Sequence, residues 1–258
     1  MHKIEKIFKK LKSQNKKAFI PYIMAGDPDL EKTMEYILIL EECRADIIEL
    51  GVPFSDPLAD GPTIQRAAER ALKAGVTLKK VISFVKKLRQ HTQIPIVLMT
   101  YYNPVFKYGE ESFINDAVDA GVDGVIIPDL PPDEGEGLIK LSRKTGLNTI
   151  FLVAPTSTED RIKKITKACR GFVYYVSITG ITGSKLILEK TFKTHINLVK
   201  KLTDKPVAVG FGVSTPEDAK MVSQIADGVI VGSAIVKKFF EHPLGATEFI
   251  KKLREEME

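Results

Sequence analysis

The chain is poor in the residues that carry most redox and metal chemistry: its 258 residues include two cysteines, four histidines and no tryptophan. Cys43 and Cys169 cannot form a disulfide framework and fit a reducing compartment. No run of about 18 apolar residues occurs, which excludes a membrane-spanning helix. The opening MHKIEKIFKKLKSQNKK is charged where a signal peptide would carry an apolar stretch, so a cytoplasmic location is expected. No G-x-G-x-x-G follows the first apolar run, which removes the usual dinucleotide fingerprint. Acidic excess is absent too: the net charge is +5, but the lysines fall in pairs such as Lys86-Lys87, Lys163-Lys164, Lys200-Lys201 and Lys251-Lys252. Such pairs read as solvated helix faces. Without a basic stripe interleaved with aromatics, no nucleic-acid partner is expected.

What the sequence does contain is a series of short apolar, β-branched runs, each followed by a segment of helical spacing. Strands are expected from Phe19, Ile47, Pro95, Gly124, Thr149, Phe172, Pro206 and Gly228. Three are preceded by an aspartate in a shared local repeat, at Ala45-Asp46, Val122-Asp123 and Ala226-Asp227. Continuous apolar strands alternating with helices predict an α/β fold with a covered parallel sheet. Eight such units in this length predict a (β/α)8 TIM barrel, a single domain over 1–258. Ile4, Ile7, Phe8 and Leu11 form a helical stripe, expected as an extra N-terminal helix plugging the bottom of the barrel. Strand starts lie 22 to 29 residues apart except after the second and sixth, where the gaps are 48 and 34. Loops after strands emerge on one face of a barrel, so both excursions should build on the site.

The residues at the strand ends limit the chemistry. No lysine lies within an expected strand, which disfavours a Schiff-base enzyme, and no histidine falls at a strand end, which disfavours a histidine metal site. A Mg²⁺ site built from aspartates stays open. Carboxylates are then the candidate acids and bases. Glu49 interrupts the apolar run IIELG, and burial would raise its pKa and suit it to proton transfer; a structural ion pair is the alternative. Asp60 lies beyond Pro57, where it could act in the site or cap the helix starting near Pro62. Asp56 reads as a turn former or a contact at the loop surface.

GFGVSTPED (210–218) and VGSAIVKK (231–238) each run from a strand through glycine into a helix start, the pattern of an anion site. SITGITGSKLILEK (177–190) reads as a lid or an ordinary flexible loop. Tyr22, Tyr101, Tyr174 and Phe211 would line a flat apolar cavity or belong to the core.

The segment IELGVPFSDPLADGPTIQ (48–65), with PYIMAGDP before it and SITGITG, GFGVS and VGSAIV after it, closely resembles the family of tryptophan synthase α subunits. The resemblance implies cleavage of indole-3-glycerol phosphate to indole and glyceraldehyde 3-phosphate, without metal or cofactor. Within it, Glu49 matches the acid/base, Asp60 the carboxylate that accepts the indole N–H, and Tyr174 the neighbouring tyrosine. Gly183, Gly212, Gly232 and Ser233 match a phosphate cradle, and Tyr22, Met99, Ile126, Thr182 and Phe211 the indole pocket. It further implies a pyridoxal phosphate β subunit as partner, receiving indole through a tunnel in an αββα heterotetramer, with the prolines of the loop from Pro53 to Asp60 against that partner. Tyr22 stands where Phe is expected, and Ile178 and Lys185 depart from the polar or charged residues expected in the lid. Two other readings share parts of the pattern: a sugar-phosphate isomerase or epimerase would share the anion cradle, and a barrel serving mainly to activate a partner would not need both carboxylates.

Overall fold

Short β-branched runs become parallel strands here because each can bury both faces, one in a central core and one under helices. The computed structural model describes residues 2–177, 190–210 and 212–258. The first elements are α1 (Lys3–Ser13), β1 (Ala18–Met24), α2 (Leu30–Glu42), β2 (Ile48–Gly51), α3 (Pro62–Lys73), α4 (Leu78–Leu88), β3 (Ile96–Met99), α5 (Tyr102–Tyr108), α6 (Glu110–Asp119) and β4 (Gly124–Ile126). Then follow α7 (Glu136–Thr145), β5 (Asn148–Ile150), β6 (Leu152–Val153), α8 (Glu159–Ala168), β7 (Val173–Val176), α9 (Lys190–Lys201), β8 (Val207–Gly210), α10 (Pro216–Ser223), β9 (Gly228–Val231), α11 (Ser233–Glu241) and α12 (Pro243–Glu256).

All strand pairs are parallel, in the order β5-β4-β3-β2-β1-β9-β8-β7-β6. The run expected as one fifth strand is divided at Phe151: β5 pairs with β4 and β6 pairs with β7. The two ends of the sheet are therefore consecutive in sequence, and the fold is a (β/α)8 barrel nearly closed across this break. The long gap after β2 holds two helices, α3 and α4, where one would suffice.

The repeated aspartates fasten the strand starts. Asp46 donates its backbone N–H to Phe19 O at 2.9 Å and accepts Phe19 N–H on Oδ2 at 2.8 Å. Asp123 does the same to Ile96, and Asp227 to Val207. Each clamp joins two strands at one residue and faces a cation: Arg254 at 3.3 Å from Asp46, Arg89 at 2.8 Å from Asp123 and Lys200 at 2.8 Å from Asp227. Charge-assisted bonds to backbone amides are among the stronger hydrogen bonds, which explains an aspartate at all three places.

α1 covers the same end. Ile4, Phe8 and Leu11 are buried, Ile7 partly so, and the Phe8 ring lies 5.7 Å from that of Phe172, the residue before β7. The N-terminal helix is thus a plug at the amino ends of the strands, and the opposite end is left for the site.

Candidate active site

Glu49 and Tyr22 are register partners on adjacent strands, so both side chains lie on the same face of the sheet. That face is the barrel interior. Tyr174 on β7 feels the charge of Glu49 on β2 although three strands separate them in the sheet order, which places both side chains inside the barrel. By the same register Gly51 pairs with Met99, and Met99 with Ile126, so Met99 and Ile126 extend the Glu49 face as buried apolar wall.

Glu49 is 1% exposed, and neither carboxylate oxygen has a hydrogen-bond partner among the described residues. The structural ion pair left open by the sequence is not present there. Burial, aided by the nearby negative charge of Asp60, pushes its carboxyl up to about 8. Asp60 is pushed up to about 6 by burial, while a hydrogen bond from the Tyr101 hydroxyl works in the opposite direction. At neutral pH Glu49 is thus mostly protonated and Asp60 mostly ionised. Around them the Tyr22 and Tyr174 hydroxyls are held well above the ordinary tyrosine value, by burial first and by the two carboxylates second.

Two glycines make room for these tyrosines. A β-carbon on Gly51 would overlap the Tyr22 hydroxyl, and one on Gly210 the Tyr174 hydroxyl. Gly210→Ala is accordingly expected to destabilise the fold by about 1–3 kcal/mol through overpacking. The check is urea unfolding of Gly210→Ala alone and in a Tyr174→Leu background, where most of the cost should vanish.

Several expectations need correction. Asp60 does not cap α3: the cap position is Gly61, and no side-chain hydrogen bond caps that helix. The start of α10 does not offer bare amides either, because Asp218 Oδ2 accepts from Ser214 N, Ser214 Oγ and Thr215 N, each at 3.0 Å. That helix end is already satisfied by its own carboxylate. α11 differs: Gly232 caps it with no side-chain hydrogen bond, and Ser233 opens its first turn. Gly212, with φ +84, sits in the left-handed region that favours glycine. Of the residues expected in the anion site, Gly212, Gly232 and Ser233 lie among the described residues. Gly183, Thr182, Phe211 and the departures Ile178 and Lys185 lie outside the described residues, as does all but the ends of the expected lid at 177–190.

Other strand-end carboxylates have structural partners. Asp27 accepts a bidentate pair from Arg70 at 2.6 and 2.7 Å, Asp129 accepts the Tyr102 amide, and Asp56 accepts from Ser55 Oγ. Among the described residues no group of three or more His, Cys, Asp or Glu could hold a metal ion. Sequence reasoning missed the Tyr101 contact with the Asp60 loop, whose partners are about forty positions apart and leave no local signal. It also passed over T-x-x-D at 215–218, a legible capping box.

The comparisons with known proteins identify the fold and the family. The family model described as tryptophan synthase alpha chain matches residues 8–258. The tryptophan synthase alpha chain of Geotalea uraniireducens is 53% identical over 241 residues, 93% of this chain and 90% of its own. That of Geobacter sulfurreducens is 49% identical over 260 residues, 99% and 98% of the two chains. Among solved structures, tryptophan synthase subunit alpha from Legionella pneumophila superposes with a TM-score of 0.92 at 38% identity, covering 100% of this chain and 98% of that one. A tryptophan synthase chain from M. tuberculosis, in an aminoacrylate-bound form, gives 0.91 at 36%, with both chains covered completely. With the barrel, the inward carboxylates and matches of this extent in hand, the chain belongs to the tryptophan synthase alpha chain family.

Proposed function

We propose that this chain performs its family's lyase reaction, the cleavage of indole-3-glycerol phosphate, with Glu49 as acid then base and Asp60 as the anion facing the indole nitrogen. The observation that carries the reading is a pair of interior carboxylates set to opposite charge states, one near 8 and the other near 6. Protonated Glu49 delivers its proton to the indole carbon that bears the glycerol chain. The resulting positive charge sits on the ring nitrogen, whose N–H donates to ionised Asp60. Glu49, now a carboxylate, takes the proton of the glycerol hydroxyl next to that carbon. As the O–H electrons form the aldehyde, the carbon–carbon bond breaks and its electrons restore the aromatic ring. Indole and glyceraldehyde 3-phosphate are formed and Glu49 regains its proton. Proton balance closes on one residue, which calls for neither metal nor cofactor in this chain.

Tyr22, Met99 and Ile126, with Thr182 and Phe211, flank the indole, and Tyr174 stands beside Glu49. The phosphate sits at Gly212, Gly232 and Ser233, with Gly183, against the open first turn of α11. Membership of an alpha-chain family implies a β partner. The αββα assembly, the pyridoxal phosphate of that partner, indole transfer through a tunnel and a cytoplasmic setting belong to the same proposal. Leu58, 92% exposed, and Phe106, 66% exposed, follow β2 and β3 on the site face and supply apolar surface for that partner.

Indole release from indole-3-glycerol phosphate by the purified chain tests the reaction directly. Activity needs Asp60 ionised and Glu49 protonated, so kcat/KM should describe a bell with its acid limb near 6 and its alkaline limb near 8. A profile flat across this range, or no indole released even with a β subunit present, would refute the assignment.

A further inference from the structure

Asp60 is carried by a loop, and a loop carboxylate needs something rigid to hold its direction. Tyr101 stands immediately beyond β3, buried, with its ring 5.3 Å from that of Phe54 at the start of the same loop. Its hydroxyl accepts the Ala59 amide at 3.0 Å, which leaves its own O–H free to donate to the Asp60 carboxylate. The rest of the loop is tied by its own backbone: Asp60 N–H donates to Pro57 O at 3.0 Å, and Gln65 Nε2 donates to Asp60 O at 2.8 Å. These bonds fix the chain but leave the carboxylate torsion open.

We propose that Tyr101 is the positioning residue for Asp60, its hydroxyl gripping the loop at Ala59 and aiming the neighbouring carboxylate into the barrel. The proposal rests on the reading of Asp60 as the anion facing the indole nitrogen. Among the described residues, the titratable groups that face Asp60 are Glu49 from β2, Tyr22 from β1 and Tyr174 from β7, with Asp129 beside Tyr101 itself. None is a cation. Among the described residues the Tyr101 hydroxyl is therefore the group that works against burial at Asp60. Tyr101 can serve as that donor because burial and its acidic neighbours keep its hydroxyl protonated.

The test is Tyr101→Phe, which keeps the ring against Phe54 and removes the hydroxyl, measured beside Asp60→Asn and the double variant. Indole release should show kcat lowered at least about tenfold with KM changed less than about threefold. The acid limb of the pH profile should move up by about half a pH unit or more. Nuclear magnetic resonance titration of the Asp60 carboxyl should move the same way, a readout that does not depend on turnover. In the Asp60→Asn background, adding Tyr101→Phe should cost less than about threefold more, since its target is gone. If Asp60→Asn is severe while Tyr101→Phe leaves both kcat and the acid limb in place, the positioning role is overturned and the Asp60 reading stands. If Asp60→Asn itself leaves indole release intact, that reading falls and the positioning role falls with it.

Discussion

Glu49→Gln is expected to abolish indole release while making the fold more stable as pH rises. General acid or base catalysis by one side chain contributes about 10²–10⁴-fold, and Glu49 serves both proton steps in turn, so a loss of at least about 10³ in kcat/KM follows. The stability gain comes from the same burial. Glu49 keeps its proton up to about 8 in the folded chain, against 4.5 for an unperturbed glutamate. Over that interval the folded state holds a proton that the unfolded chain has released, so wild-type stability is full below about 4.5 and falls as pH rises through about 8. At roughly 1.4 kcal/mol per pH unit the interval is worth several kcal/mol, on the order of 5. Glutamine has nearly the same shape and never ionises. At pH 5 the acid and the amide are both neutral and of nearly equal size, so the two proteins should melt close together; at pH 9 the variant should melt well above wild type. Thermal unfolding at the two pH values decides it. An equal difference at both would mean that the charge of Glu49 costs the fold nothing.

The strands and Glu49 were legible because a barrel strand buried on both faces reads as unbroken apolar residues, so Glu49 inside IIELG stood out. Other features were visible without being interpretable. Asp46, Asp123 and Asp227 showed as a repeat, but the amides they hold belong to strands 20 to 27 residues earlier, a separation that no local pattern encodes. The break of the fifth strand at Phe151 had no signal at all, since TIFLV is continuous in β propensity and only closure of the barrel divides it. Competing local rules misled the reading of Asp60 and of 214–218. An acid before Pro62 resembles a cap although Gly61 holds that position, and a glycine-rich helix start resembles an anion site although Asp218 already fills it.

Asp60→Asn carries the second large effect, and it should damage the reaction in two ways. Asparagine keeps one acceptor oxygen but removes the charge that faces the ring nitrogen, and loss of one group aimed at developing charge costs about 10²–10³ in rate. The acid limb near 6 should disappear from what activity remains, because the group that produces it no longer titrates. The alkaline limb should move as well. Asp60 is the second cause, after burial, of the raised Glu49 carboxyl, so without its charge Glu49 should ionise at lower pH and the limb should fall below about 8. At pH 7.5 the variant then has less of its acid in the protonated form, as well as no anion for the nitrogen. A pH profile of kcat/KM over 5 to 10 separates the two losses. A lower plateau with the alkaline limb unmoved would confine Asp60 to the ring nitrogen, whereas a limb shifted down shows Asp60 setting the charge of Glu49 as well.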